Sequence, residues 1–190
     1  MYKPFGFISQ MGSNNTKEKR SKRFISELYP FDDSVMAIGR LDLKSEGLLL
    51  LTTDGKLSDT VNRSGIEKEY YAQLDGVITT KAIEKLRKGV EIGIEGKKYV
   101  TKPCNAKLIT EEPHFPEPHH LLRVGTHRPN SWLSLTLTEG KFRQVRKMTA
   151  VVGFPTLRLV RVRIGTVTLK GMNPCDVIHF PDLPKELSLE

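Results

Sequence analysis

Four consecutive leucines at positions 48–51 constrain the fold of this chain more than any other feature. An apolar run of this length that is closed by Asp-Gly predicts a strand buried on both faces and followed by a tight turn. Asp42 lies a few residues before the run and soon after Arg40. We therefore expect its carboxylate on a loop that leads into the rigid core, which is a suitable place to hold a reacting group. Taken alone, an aspartate in a loop is more commonly a turn former or a helix cap.

Length and composition indicate a folded protein of modest size. With 190 residues, 38% of them apolar, the chain is long enough for one domain, or for one domain with two lobes. We find no apolar stretch that could span a bilayer, and no secretory signal at the start of the sequence. Cys104 and Cys175 lack Cys-x-x-Cys spacing, so we expect reduced thiols in a cytoplasmic protein rather than a disulfide or a metal site.

Positive charge is concentrated in the last third of the chain. Lysine and arginine number 30 against 22 acidic residues, which gives a net charge of +8. Residues 141–170 contain no acidic residue and eight basic ones, namely Lys141, Arg143, Arg146, Lys147, Arg158, Arg161, Arg163 and Lys170. Such a stretch attracts a polyanion, and contacts with phosphates would make binding depend on salt. A solvated basic face without a ligand is the alternative.

The hydrophobic pattern predicts a mixture of strands and helices. We expect strands over residues 3–9, 35–38, 48–52, 68–74 and 131–138, one or two strands over 157–169, and helices over 21–28, 56–62, 80–88 and 141–152. The last helix would turn Phe142, Val145, Met148, Thr149 and Val152 inward. Residues 10–20 are expected to form a mobile basic loop. Because there is no strict βαβ repeat, the fold class predicted is α+β, with an antiparallel or mixed sheet.

Residues 111–129 are rich in proline and histidine and have no hydrophobic period. We interpret them as a long loop or insertion. It contains His114, His119, His120 and His127. Metal binding is an alternative, but the spacing matches no recognised ligand pattern. Solvated loop histidines are the interpretation that we favour.

Several motifs occur along the chain in the order typical of one enzyme family. They are Tyr2-Lys3-Pro4-x-Gly6, Gly39-Arg40-Leu41-Asp42, Glu67-Lys68-Glu69-Tyr70-Tyr71, Glu139-Gly140-Lys141-Phe142-Arg143-Gln144-Val145-Arg146-Lys147-Met148 and Leu157-Arg158-Leu159-Val160-Arg161-x-x-Ile164-Gly165. Through them, nearly the whole chain resembles the pseudouridine synthases that act on small-subunit and large-subunit ribosomal RNA. Ser131-Trp132-Leu133 and residues 146–158 are most similar to members that act on 23S rRNA.

The resemblance implies a fold, a substrate and a compartment. The fold would be the family's catalytic domain: a mixed, largely antiparallel central sheet with flanking helices and a cleft between two lobes, roughly residues 1–66 and 67–190. The partner would be 23S ribosomal RNA or a large-subunit assembly intermediate, in the cytoplasm, without a membrane. Many relatives carry a small amino-terminal RNA-binding domain, whereas this chain begins directly at the catalytic part. Nothing in the sequence requires more than a monomer.

The resemblance also assigns the reacting groups. Asp42 would be the catalytic carboxylate, which could attack C1′ of the ribose, add to C6 of the base or first remove a proton; the sequence leaves these alternatives open. Arg146 would pair with Asp42 and favour its ionised form. Tyr70 would stack on the uracil ring and help to deprotonate C5. No cofactor and no metal are expected. Ordinary strand packing for Tyr70 and a phosphate contact for Arg146 are the alternatives.

Further basic residues would bind the substrate. The target base must leave its helix, and Arg40 would fill the space that it vacates, unless it forms a structural ion pair instead. The residues expected to hold the RNA backbone are Lys68, Arg143, Lys147, Arg161 and Arg163.

Two other functions share part of this pattern. An RNA-binding module without activity would have the basic face but no need of Asp42, Tyr70 and Arg146 together. A metal-dependent nuclease would need clustered acids. The acidic pairs Asp32-Asp33 and Glu111-Glu112 neither follow an apolar strand nor lie near the basic helix in sequence. We therefore rank both functions below the synthase.

Overall fold

The computed structural model describes residues 1–122, 124 and 128–189 of the chain. Its strands are β1 (Tyr2–Lys3), β2 (Phe7–Ile8), β3 (Arg23–Phe24), β4 (Met36–Ile38), β5 (Glu46–Leu48), β6 (Leu50–Thr52), β7 (Lys68–Asp75), β8 (Glu91–Ile94), β9 (Lys97–Val100), β10 (Asn105–Ile109), β11 (Asn130–Leu137), β12 (Thr156–Ile164) and β13 (Val167–Thr168). Its helices are α1 (Thr16–Ser21), α2 (Gly55–Arg63), α3 (Thr80–Lys88), α4 (Gln144–Val151) and α5 (Leu183–Glu186), with a 3₁₀ turn at Ile25–Glu27.

The chain divides into two compact units, and the first of them is discontinuous. Unit 1 comprises Met1–Ile66 and Arg161–Glu190, and unit 2 comprises Glu67–Val160. The sequence analysis assigned residues 161–190 to the second lobe. The structure assigns them to the first unit, because β12 runs on past Val160 and is a neighbour of β5 in the sheet.

Unit 1 is built around the short strands β5 and β6, which contain most of the leucine run. β1 pairs antiparallel with β5, with Tyr2 opposite Leu48 and Lys3 opposite Gly47. On its other side β5 lies beside β12, which forms an antiparallel hairpin with β13. Gly47 has a φ of +106°, and a Cβ placed on it would lie 2.3 Å from the carbonyl oxygen of Arg161. Only glycine therefore allows β5 and β12 to approach this closely.

Unit 2 packs helices on one face of a sheet. Its strands follow the order β12, β7, β11, β10, and β7 pairs antiparallel with β11 along its whole length. The core lies between this sheet and the helices α3 and α4. Its fully buried members include Ala72, Leu74, Leu133 and Leu135 from the sheet, Leu86 from α3 and Met148 from α4.

The α+β fold class is confirmed, and the strongly periodic segments lie where the sequence predicted them. α3 has the predicted bounds, with Thr79 as the cap at its start and Gly89, at a φ of +97°, at its end. α2, β4, β7 and β11 lie within one or two residues of their predictions. β12 and β13 account for the one or two strands predicted over residues 157–169, and Gly165 lies in the turn between them.

Near the amino terminus, tertiary contacts override local pattern. Residues 21–28 were predicted as a helix but form β3 and the 3₁₀ turn, because Phe7–Ile8 offers a parallel partner strand to Arg23–Phe24. The Glu27 carboxylate accepts a hydrogen bond from the Phe24 amide at 2.7 Å and fixes this turn. The predicted loop over residues 10–20 contains α1, since the Asn15 side chain accepts hydrogen bonds from two backbone amides and starts the helix.

Three further predictions differ from the structure at the bounds of elements. The leucine run forms parts of two strands, which are separated at Leu49. β5 pairs with β1, whereas β6 pairs with β4. Asp54-Gly55 was predicted as a tight turn but begins α2, with the Asp54 carboxylate as the cap of the helix. The single strand predicted over residues 3–9 is the pair β1 and β2, separated by a turn.

Candidate active site

The Asp42 loop, residues 39–45, joins β4 to β5 in unit 1 and is held on both sides of the carboxylate. The Ser9 hydroxyl donates to the Leu41 carbonyl at 2.9 Å and accepts from the Leu41 amide at 3.0 Å. The Gly6 amide donates to the Leu43 carbonyl at 2.8 Å, and the Ser45 amide donates to the carbonyl of Asp42 at 2.9 Å. Asp42 itself is partly exposed. A reactive group on a loop fixed in this way keeps its position without giving up access to solvent.

Lys3 brings a buried ammonium group to the same part of unit 1. The side chain is 0% exposed, and its Nζ donates to the carbonyls of Pro4 and Phe7 at 2.9 and 2.8 Å. Burial lowers the pKa of Lys3 to about 7, and Arg161 adds to this effect, whereas the carboxylates of Glu46 and Asp42 act in the opposite direction. Lys3 therefore interacts electrostatically with Asp42. The motif that contains it was noted in the sequence, but no role was assigned to the residue.

Arg161 is not on the surface. It is 3% exposed, and its Nε donates to the carbonyl of Leu48 at 2.7 Å. The sequence analysis expected this residue to hold the RNA backbone, and its position is evidence against that role because a buried guanidinium cannot reach a phosphate. Its hydrogen bond instead joins β12 to the end of β5, directly after the Asp42 loop.

Two other predicted substrate contacts of unit 1 lie nearer the solvent. Arg40 is exposed and immediately precedes the residue pinned by Ser9. Arg163 is partly exposed, and its Nη1 donates to the carbonyl of Gly165 at 2.8 Å in the turn between β12 and β13. Both positions are compatible with a contact to a ligand in solution.

In unit 2, Tyr70 and Lys68 lie on β7, and both are partly exposed. They stand opposite Leu135 and Leu137 of β11. Tyr70 packs against the core of the unit. Its ring is therefore fixed by packing, while part of it remains accessible.

The basic helix α4 carries Arg146 and Lys147, and Arg143 is the residue at its start. Arg146 donates from Nη1 to the carbonyl of Thr156 at 3.0 Å, which ties the helix to the beginning of β12. Lys147 donates from Nζ to the carbonyl of Gly93 at 2.8 Å. Both side chains are partly exposed. Asp42 belongs to unit 1 and Arg146 to unit 2, so the ion pair expected between them stays a prediction.

The start of α4 differs from the prediction, and Glu139 is the reason. Residues 141–143 are not helical, and Phe142, expected to point inward, is 62% exposed. The Glu139 carboxylate accepts hydrogen bonds from the hydroxyl of Tyr99, from the amide of Lys102 at 2.9 Å and from Nε2 of Gln144 at 2.6 Å. Desolvation raises the pKa of Glu139, but these hydrogen bonds outweigh it and hold the pKa below its usual value. Sequence reasoning missed this network because Tyr99 lies 40 residues away.

The proline- and histidine-rich segment is anchored to the sheet of unit 2 by Arg158. This side chain is 4% exposed, donates from Nη1 to the carbonyl of Pro116 at 2.9 Å and lies 5.5 Å from the ring centroid of Phe115. Phe115 in turn contacts Trp132, with centroids 5.7 Å apart. Arg158 therefore holds this segment and adds little to a surface charge.

The histidines of that segment form no metal-binding group in the part of the chain that is described. The rings of His119 and His120 stack with centroids 4.2 Å apart, and His127 lies outside the described residues. Among residues 1–122, 124 and 128–189, no three or more histidine, cysteine or acidic side chains are close enough to hold a metal ion. None of the described helices has the length and apolar character needed to cross a membrane.

Sequence comparison relates this chain to proteins that modify RNA. Residues 1–151 match the family described as RNA pseudouridylate synthase. A protein of Vibrio parahaemolyticus named ribosomal large subunit pseudouridine synthase E is 40% identical over 174 residues, which cover 90% of this chain and 68% of the relative. The protein of the same name from Xanthomonas campestris pv. campestris is 40% identical as well, over 90% of this chain and 89% of the relative.

Structural comparison agrees on the fold. A crystal structure of a pseudouridylate synthase superposes with a TM-score of 0.71, covering 93% of this chain and 66% of that one, at 24% identity. At this identity the likeness concerns the fold alone. The motifs that carry Asp42, Tyr70 and Arg146 lie within the residues that match the family.

Proposed function

Because the chain belongs to the RNA pseudouridylate synthase family, we propose that it converts a specific uridine of large-subunit ribosomal RNA to pseudouridine. The choice of substrate follows the names of relatives that align over 90% of this chain. The observation that carries the catalytic assignment is the Asp42 loop, in which Leu41 and Leu43 are pinned while the carboxylate between them stays partly exposed. A ribosomal substrate implies a cytoplasmic site of action, and one copy of the chain supplies every residue that we assign.

The reaction is an isomerisation, and its atoms balance without a further reactant. The N1–C1′ bond of uridine breaks, a C5–C1′ bond forms, the proton leaves C5 and N1 gains one. Asp42 is the carboxylate that acts on the substrate, by attack at C1′, by addition at C6 or by removal of a proton. All three routes require the ionised carboxylate to be held near the target nucleoside, and a loop fixed by hydrogen bonds provides this.

Tyr70 and Arg146 complete the proposed catalytic set. Tyr70 is fixed by the core of unit 2 and partly exposed, so it can stack on the uracil ring and help to take the C5 proton. Arg146 is the proposed ionic partner of Asp42 and would favour the charged form. Its hydrogen bond to the Thr156 carbonyl limits the freedom of the guanidinium.

Substrate binding is assigned to the exposed cations. We propose that Arg40 occupies the space left by the flipped uridine. Lys68, Arg143, Lys147 and Arg163 would contact the phosphates, since each is at least partly exposed. We withdraw Arg161 from this group because of its burial and propose that it positions β5 behind the Asp42 loop.

The first experiment is tritium release from large-subunit ribosomal RNA labelled at C5 of uridine. We expect the unaltered protein to release about one equivalent from the target position. The Asp42→Asn variant should lose turnover by at least about a thousandfold, as expected when a reacting group is removed. Its thermal unfolding and RNA affinity should change little, because the loop is held by backbone and serine contacts.

The matched control is Asp33→Asn, the same chemical change at an exposed residue of unit 1 outside the loop. This variant should turn over normally. Retained turnover in Asp42→Asn would contradict the catalytic role of that carboxylate. RNA binding by the unaltered protein without any tritium release, on bare RNA and on ribosomal particles alike, would favour an RNA-binding module instead.

A further inference from the structure

Phe142 presents an aromatic ring to solvent immediately before the basic helix α4. The ring is 62% exposed, although helical periodicity predicted it to face the core. A single exposed apolar residue needs no special explanation. Two features distinguish Phe142 from other exposed apolar residues. Its turn is fixed by hydrogen bonds of a buried side chain, and the ammonium group of Lys147 lies against its ring.

Hydrogen bonds of the buried Gln144 side chain fix the turn that carries Phe142. Gln144, itself buried, donates to the Glu139 carboxylate from Nε2 and accepts from the Lys141 amide at 2.9 Å through Oε1. Arg143 has a φ of +52°, a left-handed conformation that costs about 1–2 kcal/mol for a residue other than glycine or asparagine. α4 begins at Gln144, three residues after the predicted start at Lys141, in spite of this conformational cost at Arg143. The ring therefore points outward as part of a fixed structure and not because its segment is loose.

One cation, Lys147, lies against the exposed ring of Phe142. Lys147 Nζ lies 5.1 Å from the ring centroid of Phe142, and the same Nζ is anchored on the Gly93 carbonyl. Lys141 is exposed and lies 5.1 Å from the ring of Tyr99. An exposed aromatic ring on a basic segment is an arrangement by which proteins bind unpaired nucleotides, because bases stack on the ring and phosphates contact the cations.

We propose that Phe142 stacks on an unpaired base of the bound RNA. The inference rests on the proposed function for the nature of the ligand, and it adds a binding residue that charge and catalytic motifs do not identify. Lys147 covers one face of the ring and leaves the rest available to the base. Arg143 and Lys141, on either side in sequence, would contact the adjoining phosphates.

The test compares three variants for binding to a short fluorescein-labelled single-stranded RNA and to a blunt-ended RNA duplex, by fluorescence anisotropy. Phe142→Ala should weaken binding to the single strand by about 5- to 100-fold, the range for loss of one stacked base. Phe142→Trp retains a stacking surface and should bind like the unaltered protein. Val151→Ala is the matched control, since Val151 is 57% exposed at the far end of the same helix and has no assigned role.

The salt dependence separates stacking from charge. Phe142→Ala removes no charge, so the slope of log K against log salt should stay the same while the affinity falls. The duplex, which has no unpaired base, should bind this variant almost as well as it binds the unaltered protein. Equal affinity of Phe142→Ala and the unaltered protein for the single strand would overturn the proposal. So would a Trp variant as weak as the Ala variant, or an equal loss of affinity for the duplex.

Binding and turnover are measured separately, so this inference and the proposed function can fail independently. Loss of single-strand affinity in Phe142→Ala, together with absence of tritium release by the unaltered protein, would retain the stacking residue and reject the synthase. Normal tritium release by the unaltered protein, together with unaltered RNA affinity in Phe142→Ala, would retain the synthase and reject the stacking residue. Because the side chain is exposed, we expect all three variants to unfold at nearly the same temperature as the unaltered protein.

Discussion

At the scale of single residues, buried charge carries information that the sequence does not display. Lys3 is fully buried and Arg161 nearly so, yet in the sequence they look like any other basic residues. Arg161 was expected on the RNA-binding surface because it belongs to a basic stretch. A count of charges does not reveal that its strand, β12, lies between two other strands, where a side chain can be buried. Asp42, Tyr70 and Arg146 were chosen through motifs, and their catalytic roles stay predictions.

Lys3 makes a prediction about stability and pH. Its pKa is about 7 in the folded protein, against an ordinary value of 10.5, so the unfolded chain binds more protons here between these two values. The free energy of unfolding should therefore rise with pH above about 7, by at most about 1.4 kcal/mol per pH unit from this group. Below about pH 7 the lysine is protonated in both states and its contribution is constant.

The Lys3→Met variant should lack this rise. Urea unfolding of both proteins at several pH values between about 7 and 9 gives the difference in their free energies of unfolding. The contributions of titrating groups that both proteins share cancel in this difference. We expect the free energy of unfolding of the unaltered protein to increase relative to that of the variant as the pH rises. Two parallel curves would show that Lys3 titrates near its ordinary value.

At the scale of elements, agreement was best where periodicity and caps act together. α3 combines an apolar stripe with the Thr79 cap and a glycine at its end, and its bounds follow from the sequence. The segment over residues 21–28 has helical spacing too, but it pairs with β2, a contact that local pattern cannot foresee. The start of α4 was missed for a similar reason, because Glu139 fixes it through a partner on a distant strand.

Gly47 tests how closely β5 and β12 must approach. A methyl group there would lie 2.3 Å from the Arg161 carbonyl oxygen and 2.7 Å from its nitrogen, both backbone atoms. Gly6 also has a positive φ, +87°, but nothing lies within 4 Å of the position that a methyl group would take there. We expect Gly6→Ala to cost about 1–2 kcal/mol from backbone strain alone. Gly47→Ala should cost at least about 2 kcal/mol more, because the strands must separate.

Calorimetric unfolding of the two variants measures this difference. Similar midpoints for Gly47→Ala and Gly6→Ala would mean that β5 and β12 yield without cost at this position. A Gly47→Ala protein that remains folded but loses turnover would further indicate that the position of the Asp42 loop depends on this contact.

At the scale of the whole molecule, the net charge of +8 overstates the surface available to a polyanion. Two of the eight cations between residues 141 and 170, Arg158 and Arg161, are buried and bind backbone carbonyls. The sequence could predict an affinity for RNA but not which arginines would serve it. The return of residues 161–190 to unit 1 could not be read from the sequence, because it depends on strand pairing.

Arg143 should contribute to the salt dependence of RNA binding. Arg143→Asn removes one charge and places an asparagine, which accepts a left-handed backbone, at the φ of +52°. We expect weaker binding and a salt slope reduced by about one. Lys81→Gln removes the same charge from an exposed position on α3 and should leave the slope unaltered. Equal slopes for the two variants would mean that Arg143 does not meet a phosphate.

The discontinuity of unit 1 sets an order of assembly during translation. A ribosome that makes this chain releases Met1–Ile66 first, then all of Glu67–Val160, and only then the strand that contains Arg161. At ordinary rates of synthesis this interval lasts on the order of ten seconds. β5 must wait throughout this interval for its neighbour β12 and for the hydrogen bond from Arg161 to Leu48. The nascent protein thus completes the support for Asp42 only after the whole of unit 2 has been synthesised.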